Sequence, residues 1–595
     1  MLSRTAYLLA VLLMCYTSFF FYPRFKQHGS EATIAWDVSG YYWYLPSIFI
    51  YHDLKHQSFK DSILNKYGPT GTDFQQAMKL DNGNYVMKYS SGMAVMFLPF
   101  FTVAHMVAGP LGYARDGFSL PYQLGIQVGG FLLSILGLWY LRKLLLNFYP
   151  DKTVAVTLIL LVFGTNYLNY SAVDCGMSHC WLFTIYVFIL LNTHYYYQSF
   201  KTTYAIRIGL LVGLATLSRP TDIISCLIPL LWGMEWISLP AIKERMALII
   251  KNFKSLVLVG ICALMVISIQ LFYWKYVSGH WLVYSYGDQG FSWKHPHAFL
   301  YSFNYKCGWL TYTPMLMLGI AGFIPFLIKG QNKIAIIVFC LLNYYIVSAW
   351  DIWWYGGRAM VQSYPLLMFP LAALVNVAID RKLLLWILAP VALVFMYFNI
   401  WITWHYHKGQ LYDNECMTKA YFWRVAGRWT VPGNTVVLRD NAELYEAAPR
   451  DMHLVYRDDF KNDSGAGYKT ETEGTRYFLL NKEMQNSPVY GFTYNGDNAK
   501  WIRVQANFHC GAKEWDVWNM TQFIVKLIDH KDGDKVVKAN MIRVYRVLND
   551  NERKDISLDM KLPDVHFDSV SINFWNAGSD KDLAVYDLKV WSFNE

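Results

Sequence analysis

The chain has 595 residues, 54% hydrophobic and 17% aromatic, with 16% charged and a formal net charge of +9. Soluble globular chains carry about a quarter charged residues; here repeated uncharged runs, about the 20 residues that span a bilayer, account for the shortage. No nucleic-acid partner is expected from the positive charge. Most basic residues of the first two-thirds sit in short clusters between apolar runs, where they set membrane orientation.

The first run, 5–22, is long for a signal sequence and no small-x-small cleavage site follows it, so it reads as a retained span. Ten more runs fall at 122–141, 153–173, 179–198, 208–218, 223–240, 255–277, 309–328, 334–350, 359–379 and 383–404. A further apolar stretch, 91–110, decides the topology. Basic clusters stand at Arg4, at Arg142, Lys143 and Lys152, at Lys201 and Arg207, at Lys243 to Lys254, at Lys329 and Lys333, and at Arg381 and Lys382. If 91–110 does not cross, all of them lie on one side, the cytoplasmic one. That stretch therefore reads as an interfacial or re-entrant helix closing a long outer loop, 23–121. The expected fold over 1–404 is a membrane all-α polytopic bundle of about 11 transmembrane helices, with the N-terminus cytoplasmic.

From 405 the composition changes. A linker rich in Trp and Tyr is expected over 405–430, then an exported C-terminal all-β sandwich, jelly-roll-like in strand pattern, over 431–595. Its alternating segments are Thr435–Leu438, Thr475–Leu480, Trp501–Phe508, Phe523–Ile528, Met541–Val547, Val570–Phe574 and Leu588–Phe593. Trp501, Trp515 and Trp518 leave two readings of it open, glycan binding and a structural cap. The nine cysteines show no zinc spacing. Cys175 and Cys180, near one membrane exit, leave room for a bridge.

The unusual polar residues gather on the outer side. Trp36-Asp37-Val38-Ser39-Gly40-Tyr41-Tyr42-Trp43 puts an acid among rings where the chain leaves the membrane. Rings are ordinary at an interface, but an acid beside hydrocarbon is costly and marks a functional candidate. Lys88 precedes the 91–110 helix, and Asp174 follows a span. A Gly-rich helix from Gly209 ends in Ser218-Arg219-Pro220. His179 opens the next outer-side span start, and Lys294, His295, His297, Lys306 and Arg358 follow in later outer segments.

This order of an early acid, a basic residue before a surface helix, a later acid and a Gly-rich helix ending in a basic residue resembles the type C (GT-C) glycosyltransferases. That family includes protein O-mannosyltransferases and the aminoarabinose transferases of lipid A. The resemblance covers roughly residues 1–400. Val38 follows Asp37 where relatives often carry a second acid, which leaves Asp174 as the candidate second carboxylate.

The resemblance implies transfer of a sugar from a polyprenyl-phosphate donor to an acceptor hydroxyl of a glycan, lipid or protein, with inversion. Asp37 and Asp174 are then the catalytic candidates. Lys88, His179, Arg219, His295, Lys306 and Arg358 are the substrate-binding ones. A hydroxyl needs a base and a leaving phosphate needs fixed cations. Plainer roles stand beside these: Arg219 capping a helix pair, Lys294 and Lys306 snorkelling, Arg358 pairing with Asp351, Lys88 anchoring at the interface, His179 satisfied at a helix start. No cofactor is expected. A metal at His295 and His297, completed by Asp37, Asp174 or His179, is not favoured. The absence of a Gly-rich phosphate loop argues against a nucleotide-sugar donor. The expected location is a bacterial plasma membrane, with membrane lipids as partners and the C-terminal domain outside. A polysaccharide polymerase or ligase and a lipid-linked sugar flippase are the competing functions.

Overall fold

The computed structural model describes every residue except 71–73, 410, 413–416 and 495–497. It divides into two compact units, Met1–Lys408 and Gly409–Glu595, close to the composition change read at 405. Residues 410 and 413–416 of the expected 405–430 linker lie outside the described residues.

The first unit is helical. Among the described residues, five helices are long and apolar enough to cross a membrane: Leu2–Lys26, Leu120–Leu145, Phe253–Ser278, Arg358–Asp380 and Lys382–Gly409. Ser178–Ser199 is as long as a span, with its face buried along most of its length. The last helix of the unit exposes Leu383, Trp386, Leu393 and Val394 over most of their surface. An apolar exterior of that extent suits hydrocarbon and not water.

Three expected spans are not continuous helices. The run 153–173 stops at Gly164 and resumes as a short π-helix, Asn169–Val173. The run 223–240 becomes a 3-10 turn, Pro220–Cys226, and a short helix ending at Leu231. Gly233 then turns left-handed (φ 86°), and a new helix starts at Leu239 with Pro240 in its first turn. The run 309–328 breaks twice, at Pro314 and at Gly322. A side-chain carbon on Gly322 would sit 2.1 Å from the Pro370 carbonyl oxygen, so backbone closeness rather than hydropathy shapes that bend. The stretch 91–110 forms one helix, Gly92–Ala108, of 17 residues. Cys175 and Cys180 are both free, which corrects the suggested bridge; the Cys180 thiol donates to the Cys175 carbonyl instead.

A small hairpin in the 23–121 segment, β1 (Ala77–Lys79) with β2 (Tyr85–Met87), ends one residue before Lys88. The second unit holds β3 (Arg450–Asp458), β4 (Tyr468–Thr470), β5 (Arg476–Leu480), β6 (Tyr490–Thr493), β7 (Trp501–Cys510), β8 (Gln522–Asp529), β9 (Lys535–Arg543), β10 (Glu552–Lys561), β11 (Ser569–Trp575) and β12 (Leu583–Asn594). They form two antiparallel sheets, one in the order β10-β7-β12-β5-β4 with β3 also on β12, the other β6-β11-β8-β9. The period-2 pattern is real: Ile502, Val504, Ala506 and Phe508 of β7 are buried, and so are Phe523, Val525 and Leu527 of β8. Thr435–Leu438 is not a strand; it lies in a 3-10 turn, Gly433–Arg439.

Candidate active site

Asp37 lies in the first turn of a seven-residue helix, Trp36–Tyr42, whose remaining residues are largely buried. Trp36 beside it has a left-handed backbone (φ 47°), held by a hydrogen bond from its N–H to the Pro69 carbonyl at 3.0 Å. A bulky residue in that region is strained, and such strain persists where the surroundings impose it.

Two donors hold the Asp37 carboxylate. Tyr89 donates its hydroxyl to Oδ1 at 2.6 Å, and Arg358 donates Nη2 to Oδ2 at 2.6 Å. The plainer role read for Arg358, pairing with Asp351, is corrected: Asp351 instead accepts from Ser292 at 2.8 Å and faces His297 at 3.4 Å. Sequence order hid this because Asp351 is the near acid in the chain and Asp37 the near acid in space.

Local structure explains both donors. Tyr89 reaches Asp37 across Gly40, where any side-chain carbon would meet the Tyr89 ring at 2.5 Å. The Lys88–Tyr89 backbone is fixed by three hydrogen bonds: Lys88 N–H to the Gln76 carbonyl, Ser285 hydroxyl to the Lys88 carbonyl and Tyr44 hydroxyl to the Tyr89 carbonyl. Arg358 follows two left-handed glycines, Gly356 (φ 60°) and Gly357 (φ 58°). Asn166 donates to the Gly356 carbonyl and Tyr301 to the Gly357 carbonyl, so the turn is pinned from two other segments.

Lys88 has no such partner. Its ammonium lies 5.7 Å and 5.8 Å from the ring centres of Tyr89 and Tyr286. Among the described residues no carboxylate comes within ion-pair distance of it. Burial pushes its pKa below the ordinary lysine value, against the smaller opposing pull of Asp37. Burial lifts Tyr89 well above the ordinary tyrosine range, and the Asp37 charge adds to this, so the Tyr89 hydroxyl stays a donor. Tyr41 is pushed up to about 12, first by burial and then by Asp37, with the charges of Arg358 and Arg219 acting in the opposite sense. Asp37, Arg358 and Arg219 therefore share one neighbourhood, in which cations outnumber the carboxylate.

Arg219 donates Nη1 to His179 Nδ1 at 3.2 Å and to Gln362 Oε1 at 3.1 Å. A guanidinium only donates, so His179 Nδ1 accepts and the ring is neutral, with its hydrogen on Nε2. His179 is thus no cation for a phosphate.

Asp174 belongs to a different group. It is buried against Arg24 in an ion pair, and Asn169 donates to its other oxygen at 2.9 Å. Burial raises its pKa, but Arg24 and then His407 outweigh that and hold the carboxyl below the usual range. His407 completes the set by donating to Asn169 Oδ1 at 2.6 Å. His295 and Lys294 are exposed on a turn, and Lys306 is exposed beside Asn304, whose side chain accepts from the Lys306 N–H. Among the described residues the histidine pair forms no three-ligand cluster with Asp37, Asp174 or His179. The cluster that does occur is Asp529, His566 and Asp568, in the second unit.

Tyr89, Gln362 and Arg24 were missed as site residues. Gln362 carried a signal, an amide near the start of a largely apolar run. Tyr89 carried none, since interfaces are rich in tyrosine.

Neither a protein-family model nor a curated protein sequence matches the chain. Among solved structures, the arabinosyltransferase EmbB of Mycobacterium smegmatis is similar over 82% of this chain and 59% of its own, at 10% identity with a TM-score of 0.32. The glycosylation-associated Gap123 complex of Streptococcus agalactiae is similar over 24% of this chain and 44% of its own, at 15% identity with a TM-score of 0.16. Tailspike protein 4 of bacteriophage CBA120 is similar over 24% of this chain and 18% of its own, at 10% identity with a TM-score of 0.16. The chain thus spans 18% to 59% of the length of these structures. At such scores the likenesses carry no weight for fold or activity.

Proposed function

We propose that the chain is a membrane glycosyltransferase, moving a sugar from a polyprenyl-phosphate donor to an acceptor hydroxyl with inversion at the anomeric carbon. The observation that carries this reading is the Asp37 carboxylate, held by Arg358 and Tyr89 at 2.6 Å each, near a half-buried Lys88 that has no ion-pair partner among the described residues. A carboxylate next to surplus cations suits a reaction that takes a proton from a hydroxyl and releases a phosphate.

In this reading the donor phosphate meets Lys88 and Arg358, and Arg358 turns part of its fork from Asp37 to the phosphate. The freed Asp37 oxygen accepts the proton of the acceptor hydroxyl. The new bond forms from the acceptor's own oxygen, now without its proton, to the anomeric carbon as the bond from that carbon to the phosphate oxygen breaks. The electron pair leaves on polyprenyl phosphate, whose charge the cations balance. No step is assigned to a metal. The outer face of a bacterial plasma membrane, with the N-terminus inside and the sandwich outside, is the proposed setting.

The test is reconstitution. Purified chain in lipid vesicles receives a radiolabelled polyprenyl-phosphate monosaccharide, and sugar transfer to membrane or glycan acceptors is followed. Transfer that disappears in Asp37→Asn supports the reading. Transfer only from a lipid-linked oligosaccharide assigns the chain to the polymerases or ligases, and lipid translocation without transfer to the flippases.

A further inference from the structure

Behind Arg219 lies a buried link that the proposed chemistry does not use. Gln362 accepts from Arg219 through Oε1 at 3.1 Å and donates through Nε2 to Asp222 Oδ1 at 2.7 Å. Gln362 and Asp222 are each 1% exposed. The second Asp222 oxygen and the Tyr186 hydroxyl in its vicinity make no hydrogen bond of ordinary geometry. A half-satisfied carboxyl in so dry a place is costly, and stability alone does not explain it.

The chemistry of the two ends gives it a purpose. An amide can sit in two orientations related by a flip. A guanidinium only donates and an ionised carboxylate only accepts. Burial lifts the Asp222 carboxyl to about 7 against the opposing Arg219 charge. Above that pH, with Arg219 at one end and ionised Asp222 at the other, one orientation of Gln362 satisfies both and the flipped one faces donor to donor and acceptor to acceptor. Asp222 thus removes a choice that Gln362 would otherwise have. Arg219 is held by its Nη1 alone; its Nε and Nη2 hydrogens have no protein acceptor among the described residues. They remain for an anion.

We propose that Asp222 is a positioning residue: acting through Gln362, it fixes Arg219 and the neutral His179 so that the open donors of Arg219 meet the phosphate of a prenyl-phosphate lipid. The proposal rests on the phosphate-binding part of the function given above. Asp222 touches no substrate. Asparagine in its place keeps the volume but offers both donor and acceptor, so Gln362 can flip and push Arg219 away.

Equilibrium binding of radiolabelled decaprenyl phosphate to the full chain in detergent tests this, with decaprenol as the uncharged control. Arg219→Ala and Asp222→Asn should each weaken phosphate-lipid binding by about tenfold, the scale of one hydrogen bond to a charged group, with unchanged melting and unchanged decaprenol binding. The double variant should bind no more weakly than Arg219→Ala alone, because both changes remove one contact. Gln362→Met breaks the same link without removing a charge; it strands Asp222 and melts earlier. Per folded molecule it must weaken phosphate-lipid binding alike and leave decaprenol binding unchanged, and it carries the test if Asp222→Asn does not fold. Losses that multiply in the double variant, or wild-type binding by folded Asp222→Asn and Gln362→Met, overturn the positioning role while leaving the function intact. A wild-type chain that binds decaprenyl phosphate no better than decaprenol overturns both.

Discussion

Asp37 and Arg358, 321 positions apart in the chain, meet in a hydrogen-bonded ion pair of 2.6 Å. Each is about a fifth exposed, with side-chain values of 22% and 23%. The pair is therefore open enough for a ligand to compete for either partner.

Competition at Asp37 gives the first prediction. Asp37→Asn keeps size and hydrogen-bonding reach but loses the basic oxygen. Turnover should fall on the order of 10²–10⁴ while donor binding and melting stay near wild type. Folded Asp37→Asn with a third or more of wild-type transfer would remove Asp37 as the base.

Arg358 should tolerate lysine poorly. An ammonium can pair with Asp37 but cannot also reach a phosphate with a second donor of a planar fork. Arg358→Ala is expected to weaken donor use more than Arg358→Lys, with both below wild type in kcat/KM. Equal values for wild type and lysine would show that a point charge is enough.

Lys88 sets a pH limit. Burial shifts its proton loss below the ordinary lysine value of 10.5, so an activity that needs the cation fades at lower pH than an exposed lysine would allow. Lys88→Arg, which does not titrate in that range, should move the alkaline limb of the kcat/KM profile upward. An unmoved limb assigns it to another group.

Asp174 should behave as a structural acid. Removing one partner of a buried pair strands the other charge, at a cost on the order of 3 kcal/mol. Asp174→Asn is expected to melt earlier and to keep most of its activity per folded molecule. The opposite result, normal melting with turnover reduced by about 10² or more, would make it catalytic.

The outer loop gives a test of topology. Ala114 is exposed just after the Gly92–Ala108 helix. In a background without native cysteines, Ala114→Cys should react with an impermeant thiol reagent from outside. Labelling only after the membrane is opened would mean that the helix crosses.

Charge in an apolar setting made much of the site visible in advance. Asp37 stood out because a charge near hydrocarbon needs a reason, Lys88 and Arg219 through the resemblance, and Arg358 as a cation for the phosphate that the resemblance implies. Their pairing did not stand out, since loops distant in sequence decide it. Nothing in the sequence singles out Arg24, and only the fold brings it to Asp174. Pro314 was in plain view inside the 309–328 run, yet hydropathy alone overrode it. Strand β10 was hidden because Glu552 to Asp555 form a charge run, although Ile556, Leu558 and Met560 alternate and are buried beyond it.

The 321 residues between Asp37 and Arg358 also impose a schedule on synthesis. At about 5–20 residues per second, a ribosome needs on the order of 16–64 seconds to make them. Through that interval the nascent chain carries a carboxylate at the membrane surface without its arginine. Most of the helical unit must be inserted before the pair can close, so a product truncated ahead of Arg358 would hold Asp37, Lys88 and Arg219 and still have no assembled centre.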